Sequence, residues 1–102
     1  MLDKNTGNLL IDFYGSLLTN HQIEILDDYF KEDLSMNEIA ENNNISKAAV
    51  SDIVNRSIKQ LQDYEKKLKL IKQTQKLDKI VDELNKSGNI SLANKLNNII
   101  RR

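Results

Sequence analysis

Apolar residues recur at helical spacing along most of the chain, and no stretch shows the two-residue alternation of a half-buried strand. The first strong set follows Asn8. Leu10, Phe13, Tyr14 and Leu17 fall at i, i+3, i+4 and i+7, with Leu9 and Leu18 widening the stripe. Residues 1–7 read as frayed. Gly15 inside this segment costs about 1 kcal/mol relative to Ala or permits close packing. The segment is too short to be stable alone, and its broad apolar face predicts burial on more than one side, including against a second subunit. Thr19 then caps a new helix, with Gln22 three residues on completing a capping box. Ile23, Leu26, Tyr29 and Phe30 form its inward face, and His21 in its first turn reads as an exposed surface residue.

Residues 34–56, LSMNEIAENNNISKAAVSDIVNR, organise the rest. Ser35 and Glu38 make a second capping box, and Ile39 and Ala40 face inward. The run Asn42-Asn43-Asn44 breaks the helix, because Asn accepts the left-handed conformation that a helix end needs. Ile45 plugs the turn, and Ser46 caps a second helix starting at Lys47. Val50 and Ile53 lay that helix against Ile39 and Ile45. The pattern is a helix-turn-helix, with the small Ala40 at a close crossing. Asn43 departs from it, standing where an apolar residue is usual. The alternative is a plain helical hairpin inside a bundle.

Beyond Ile53, Val54, Ile58, Leu61, Tyr64, Leu68 and Ile71 recur three or four apart, and no Gly or Pro intervenes between Ser46 and Ser87. The second helix is therefore expected to run to about Leu70, with Lys59, Lys66, Lys67 and Lys69 on its wet face. Leu77, Ile80, Val81 and Leu84 form a further set ended by Ser87-Gly88-Asn89, with Gly88 suited to the helix end. Ser91 caps a last helix with Leu92, Leu96, Ile99 and Ile100 inward. The fold class is all-α, with five or six helices: a three-helix helix-turn-helix unit, an N-terminal helix, a long recognition helix and C-terminal helices. The chain reads as a single domain over 1–102, with the motif at 34–56 and a C-terminal helical extension at 72–102.

Composition narrows the chemistry. The 102 residues carry no Cys, one His and no Pro. No disulfide framework or thiol chemistry is available, which fits a reducing cytoplasm. No apolar run reaches membrane-spanning length, and no secretory signal is visible at the N-terminus. Asp27, Asp28, Glu32 and Asp33 cluster around a helix end, where carboxylates are usually solvated. With no phosphate loop, no metal constellation and no nucleophile–base pair, the expectation is no enzyme, no cofactor, no metal, no small-molecule ligand and no membrane insertion. The net charge of zero hides an asymmetry. Residues 1–45 carry two Lys against nine acids, whereas residues 46–102 carry thirteen Lys or Arg against six acids. A basic patch is the electrostatic footprint of a phosphate-binding surface. The alternatives are a solvated helix surface and pairing with the acidic half of another subunit.

The FYGSLLT segment running into a helix with Gln22, followed by DLSMNEIAE, IS-x-x-AV and LxxYExKL, resembles the YlxM-type proteins of Gram-positive bacteria and mollicutes. The resemblance covers about Leu10 to Leu70. It implies a helix-turn-helix similar to region four of sigma factors, which binds promoter DNA. Genes of this family usually neighbour that of the signal recognition particle GTPase. The resemblance therefore implies a regulator or accessory component of co-translational protein targeting, with that GTPase or the particle's RNA as partner. A DNA-binding transcriptional regulator is the alternative.

Candidate residues follow from the helical faces. With Val50 and Ile53 inward, Lys47, Ala48, Ser51, Asp52 and Asn55 point outward. Lys47 and Arg56, with Lys59 further on, would meet phosphates, and Ser51 or Asn55 could reach base edges. Asp52 on that face is unfavourable to phosphate. A homodimer is expected through Leu10, Phe13, Tyr14 and Leu17 on the N-terminal helix and Leu61, Tyr64 and Leu68 on the long helix. Exposing both faces would leave a larger apolar patch than soluble monomers usually tolerate. The alternatives are that the N-terminal helix takes the long helix's strip, or that the C-terminal helices fold back and cover it, within one chain.

Overall fold

Side-chain caps set where the helices begin. In the computed structural model, which describes residues 2–88 and 90–100, Asp3 accepts from the Thr6 N–H at 2.8 Å and starts α1, Lys4–Tyr14. This is four residues earlier than the apolar pattern predicts. The cap extends the helix into polar sequence that otherwise gives no signal. Thr19 starts α2, Asn20–Phe30, and Ser35 starts α3, Met36–Asn43, each through a complete capping box. Ser46 starts α4, Lys47–Leu68, by accepting from the Ala49 N–H at 3.0 Å. Then follow α5, Leu70–Lys86, and α6, Ile90–Ile100. Among the described residues there are six α-helices and no strand. The chain divides into two compact units, one ending at Leu68 and one beginning at Lys69.

In the first unit α4 is the central helix, packed by α1, α2 and α3. Its buried row is Val50, Val54, Ser57, Ile58 and Leu61. Ile53, expected inward, is half-buried, and Val54 takes the deeper position. The α2 face is Ile25, Leu26 and Phe30, with Ile23 and Tyr29 half-buried at its margins. Ile25, absent from the expected face, is fully buried.

Two glycines allow close approach. Gly7 is buried under the Phe30 ring, which a Cβ would overlap. A Cβ on Gly15 would lie 3.0 Å from Ile23 Cδ1. Gly15 also ends α1, and residues 15–17 form a 3-10 turn. The tighter winding shifts the side-chain register. Leu18 is thereby buried and Leu17 is left 54% exposed, so the sequence expectation for Leu17 is corrected.

The second unit is an αα-hairpin of α5 on α6. Lys69, in the left-handed conformation at φ 54°, separates α4 from α5 with no Gly or Pro to announce it. Val81 and Ala93 are buried in the hairpin. The expectation of an inward Leu92 and Ile99 is corrected, since both are exposed, and Leu77 and Ile80 of the α5 set are exposed as well. Leu84 and Leu96 are half-buried. Ser91 lies inside the first turn of α6 and does not precede it, because that helix already begins at Ile90. Asn89 of the expected turn and the side chain of Ile100 lie outside the described residues.

Candidate nucleic-acid interface

The motif is built from its turn outward. Asn44 adopts the left-handed conformation (φ 54°, ψ 40°), the Ile45 N–H donates to Ala40 O at 3.1 Å, and the Asn44 N–H donates to Glu41 O at 3.3 Å. These two bonds close a Schellman motif, with Ile45 returning over Ala40. Asn43 explains its own departure from the usual apolar residue. It is half-buried, and its Nδ2 donates to Ile39 O at 2.8 Å, so its polar side chain is satisfied within its own helix. Ile39, Ala40 and Val50 are buried at the crossing, and Ile45 is half-buried beside them.

The crossing aims one face of α4 at solvent. Lys47, Ala48, Asn55, Arg56 and Lys59 are exposed there and Ser51 is half-buried, so the structure gathers all six candidate residues on the outer side of one helix. Arg56 Nε lies 3.3 Å from Asp52 Oδ1, an i, i+4 pair in which the carboxylate takes up part of that cation's charge. Asn55 Nδ2 donates to Ser51 Oγ at 3.4 Å. Three cations against one carboxylate leave the face basic. The positive end of the α4 dipole adds to it beside Lys47.

Two features that hold α4 in place escape sequence reading. Gln22, already engaged in its capping box, donates through Nε2 to Ser57 Oγ at 3.0 Å and to Gln60 Oε1 at 2.7 Å. Ser57 is fully buried in an otherwise apolar row, and that position is the signal that could have revealed it, since a buried hydroxyl needs a partner. Tyr14 stacks on Tyr64 with ring centroids 6.1 Å apart and donates to Glu65 Oε1 at 2.6 Å.

The same contacts correct part of the proposed subunit interface. Leu10, Tyr14 and Leu61 are buried inside the first unit because α1 covers the α4 strip within the chain. Phe13 and Tyr64 are half-buried, and Leu17 and Leu68 are exposed. His21 is exposed. Between α1 and α2 lies an open cleft of about 550 Å³, where Lys31 Nζ approaches Asp12 at 3.5 Å and Asp27 at 3.7 Å. Among the described residues no helix is long and apolar enough to cross a membrane.

Capped helices, a Schellman turn and an outward α4 face define a helix-turn-helix protein. The chain belongs to the family described as "Putative helix-turn-helix protein, YlxM / p13 like", whose model matches residues 2–99. It is 50% identical over 70 residues to a UPF0122 protein of Malacoplasma penetrans, covering 69% of this chain and 65% of that protein, a little under two thirds of its length. It is 44% identical over 87 residues to a UPF0122 protein of Clostridium perfringens, covering 81% of this chain and 78% of the relative. A UPF0122 protein of Fusobacterium nucleatum is 43% identical over 75 residues, 74% of this chain and 73% of that protein.

Proposed function

We propose that this chain is a cytoplasmic accessory or regulatory protein of the signal recognition particle pathway that uses its helix-turn-helix to contact the particle's RNA. The observation that carries the nucleic-acid part is the exposed basic face of α4, with Lys47, Arg56 and Lys59 on a helix fixed by caps and by the Gln22–Ser57 bond. The pathway is what the YlxM resemblance implies. Asp52 within the face repels phosphate at close approach, and its pair with Arg56 offsets part of that repulsion. The second reading is a DNA-binding transcriptional regulator. It is favoured by the row Lys47, Ser51, Asn55 and Lys59, spaced four apart as a recognition helix would present it to a major groove.

Titration of labelled particle RNA beside a duplex DNA pool, each from low to moderate salt, tests both readings. Binding to the RNA, with the salt slope reduced by about one for each of Lys47→Ala and Lys59→Ala, is the expected outcome. Tighter binding to a particular duplex would favour the regulator. Affinity unchanged by Lys47→Ala combined with Arg56→Ala would remove this face from both readings.

A further inference from the structure

The C-terminal hairpin exposes what a helical pair normally hides. Leu70 is 41% exposed, Leu77 38% and Ile80 46% on α5, and Leu92 46% and Ile99 67% on α6. Among the described residues of this unit, only a valine and an alanine are buried, Val81 and Ala93. The unit from Lys69 to Arg102 is shorter than the about 40 residues below which a chain usually needs a disulfide, a metal or a partner to complete its core. The sequence holds no Cys for a disulfide.

The exposed residues are ordered. On α5 the buried or half-buried Ile71, Thr74, Asp78 and Val81 mark the side turned to α6. The exposed Leu70, Leu77 and Ile80 and the half-buried Leu84 lie about a quarter turn away on the helical wheel. On α6 Ala93, Leu96 and Asn97 mark the side turned to α5, and Leu92 and Ile99 lie about a quarter turn away in the same rotational sense. In an antiparallel pair, equal rotations carry both rows to one face of the hairpin. Leu70, Leu77 and Leu84 are seven apart with Ile80 between them, which is the a and d spacing of a helix seam.

We propose that α5 pairs antiparallel with α5 of a second copy of this chain about a two-fold axis, closing two hairpins into a four-helix bundle. Charge selects this occupant and this direction. Lys76 and Glu83 each precede an a-position leucine, and both are exposed. In antiparallel pairing a faces d and these flanking positions face each other. Leu77 then meets the partner's Ile80, and Ile80 the partner's Leu77. Lys76 meets the partner's Glu83 and Glu83 the partner's Lys76, so one interface is satisfied twice by the same patch, as two-fold symmetry requires. Leu84 packs beside the partner's Gln73 at the end of the seam. Parallel pairing would set Lys76 against the Val81 position and Glu83 against the Gly88 position, which carry no charge.

Sedimentation equilibrium of the full chain at tens of micromolar tests the proposal, and the expected mass is twice the 11.8 kDa of one chain. Leu77→Asp with Ile80→Asp abolishes the dimer. Lys76→Glu alone and Glu83→Lys alone each raise the dissociation constant roughly tenfold by turning two attractive pairs into repulsive ones. The combined Lys76→Glu, Glu83→Lys chain restores the dimer. These two surface changes leave the fold intact, so the restoration separates pairing from stability. A single-chain mass for the unmodified protein would overturn the proposal. So would a dimer indifferent to Leu77→Asp with Ile80→Asp, or a charge exchange without recovery.

Discussion

The two units use amphipathic helices of the same kind and complete them differently. In the first, Tyr14, Ile25, Leu26, Ile39 and Leu61 are fully buried, and side chains tie helices together across long sequence separations, Tyr14 to Glu65 and Gln22 to Ser57. In the hairpin, α5 and α6 carry equally regular apolar rows, yet several of the largest members face solvent. The difference teaches what periodicity encodes. A stripe says that a helix has a face to bury. It does not say which surface buries it, because that depends on elements distant in the sequence or on another chain.

The largest expected effect contrasts one leucine from each unit. Leu61 is 1% exposed and Leu77 38% exposed. Leu61→Ala should destabilise the first unit by about 2–5 kcal/mol through lost transfer energy and a cavity. Leu77→Ala, measured at a concentration where the chain is a monomer, should change stability by less than about 0.5 kcal/mol. Urea unfolding followed by helical signal for the first change, and by exchange of α5 amides for the second, reads both. Equal losses would mean that the hairpin is as fully packed as the first unit.

Overpacking in the first unit comes next. Ala40 is 7% exposed at the α3–α4 crossing, and Gly7 is buried against the Phe30 ring. Ala40→Leu and Gly7→Ala should each cost about 1–3 kcal/mol. The matching change in the hairpin is Gly88→Ala. Among the described residues, its chain neighbours aside, no atom stands within 4 Å of a Cβ there, and its φ of +85° puts the cost in backbone conformation. An unchanged urea midpoint for Ala40→Leu would mean that the helices do not approach closely at Ala40.

Much of the first unit is legible in the sequence because its signals are local. Both capping boxes, the Asn44 turn and the inward Ile39, Ala40 and Val50 rest on residues a few positions apart. The candidate α4 face is legible for the same reason, since one helix fixes which residues oppose Val50. What could not be read depends on distance or on a small conformational choice. Leu17 turns outward because three residues wind as a 3-10 turn. Lys69 takes a left-handed conformation without a glycine. Leu10, Tyr14 and Leu61 enter a core because α1 lies on α4, a pairing of helices that no local pattern states.

The smallest effect concerns the first cap, which the apolar pattern passes over. The Asp3 carboxylate accepts from the Thr6 N–H at 2.8 Å and from Thr6 Oγ1 at 3.1 Å, and the bond to the backbone N–H is the main cause of its pKa lying below the ordinary 3.8. A folded-state pKa below the unfolded value means that the cap's contribution is complete above about 3.8 and is lost as pH falls through the lowered folded value. The Thr6 amide resonance should therefore titrate with a midpoint below 3.8. Asp3→Asn should abolish that titration while keeping an accepting oxygen at the cap, so α1 still begins at Lys4. Asp3→Ala should remove both the titration and the cap, and the first turn should lose its helical carbon shifts while α2 to α4 keep theirs. A Thr6 midpoint at or above 3.8 would show that the carboxylate does not hold this helix end.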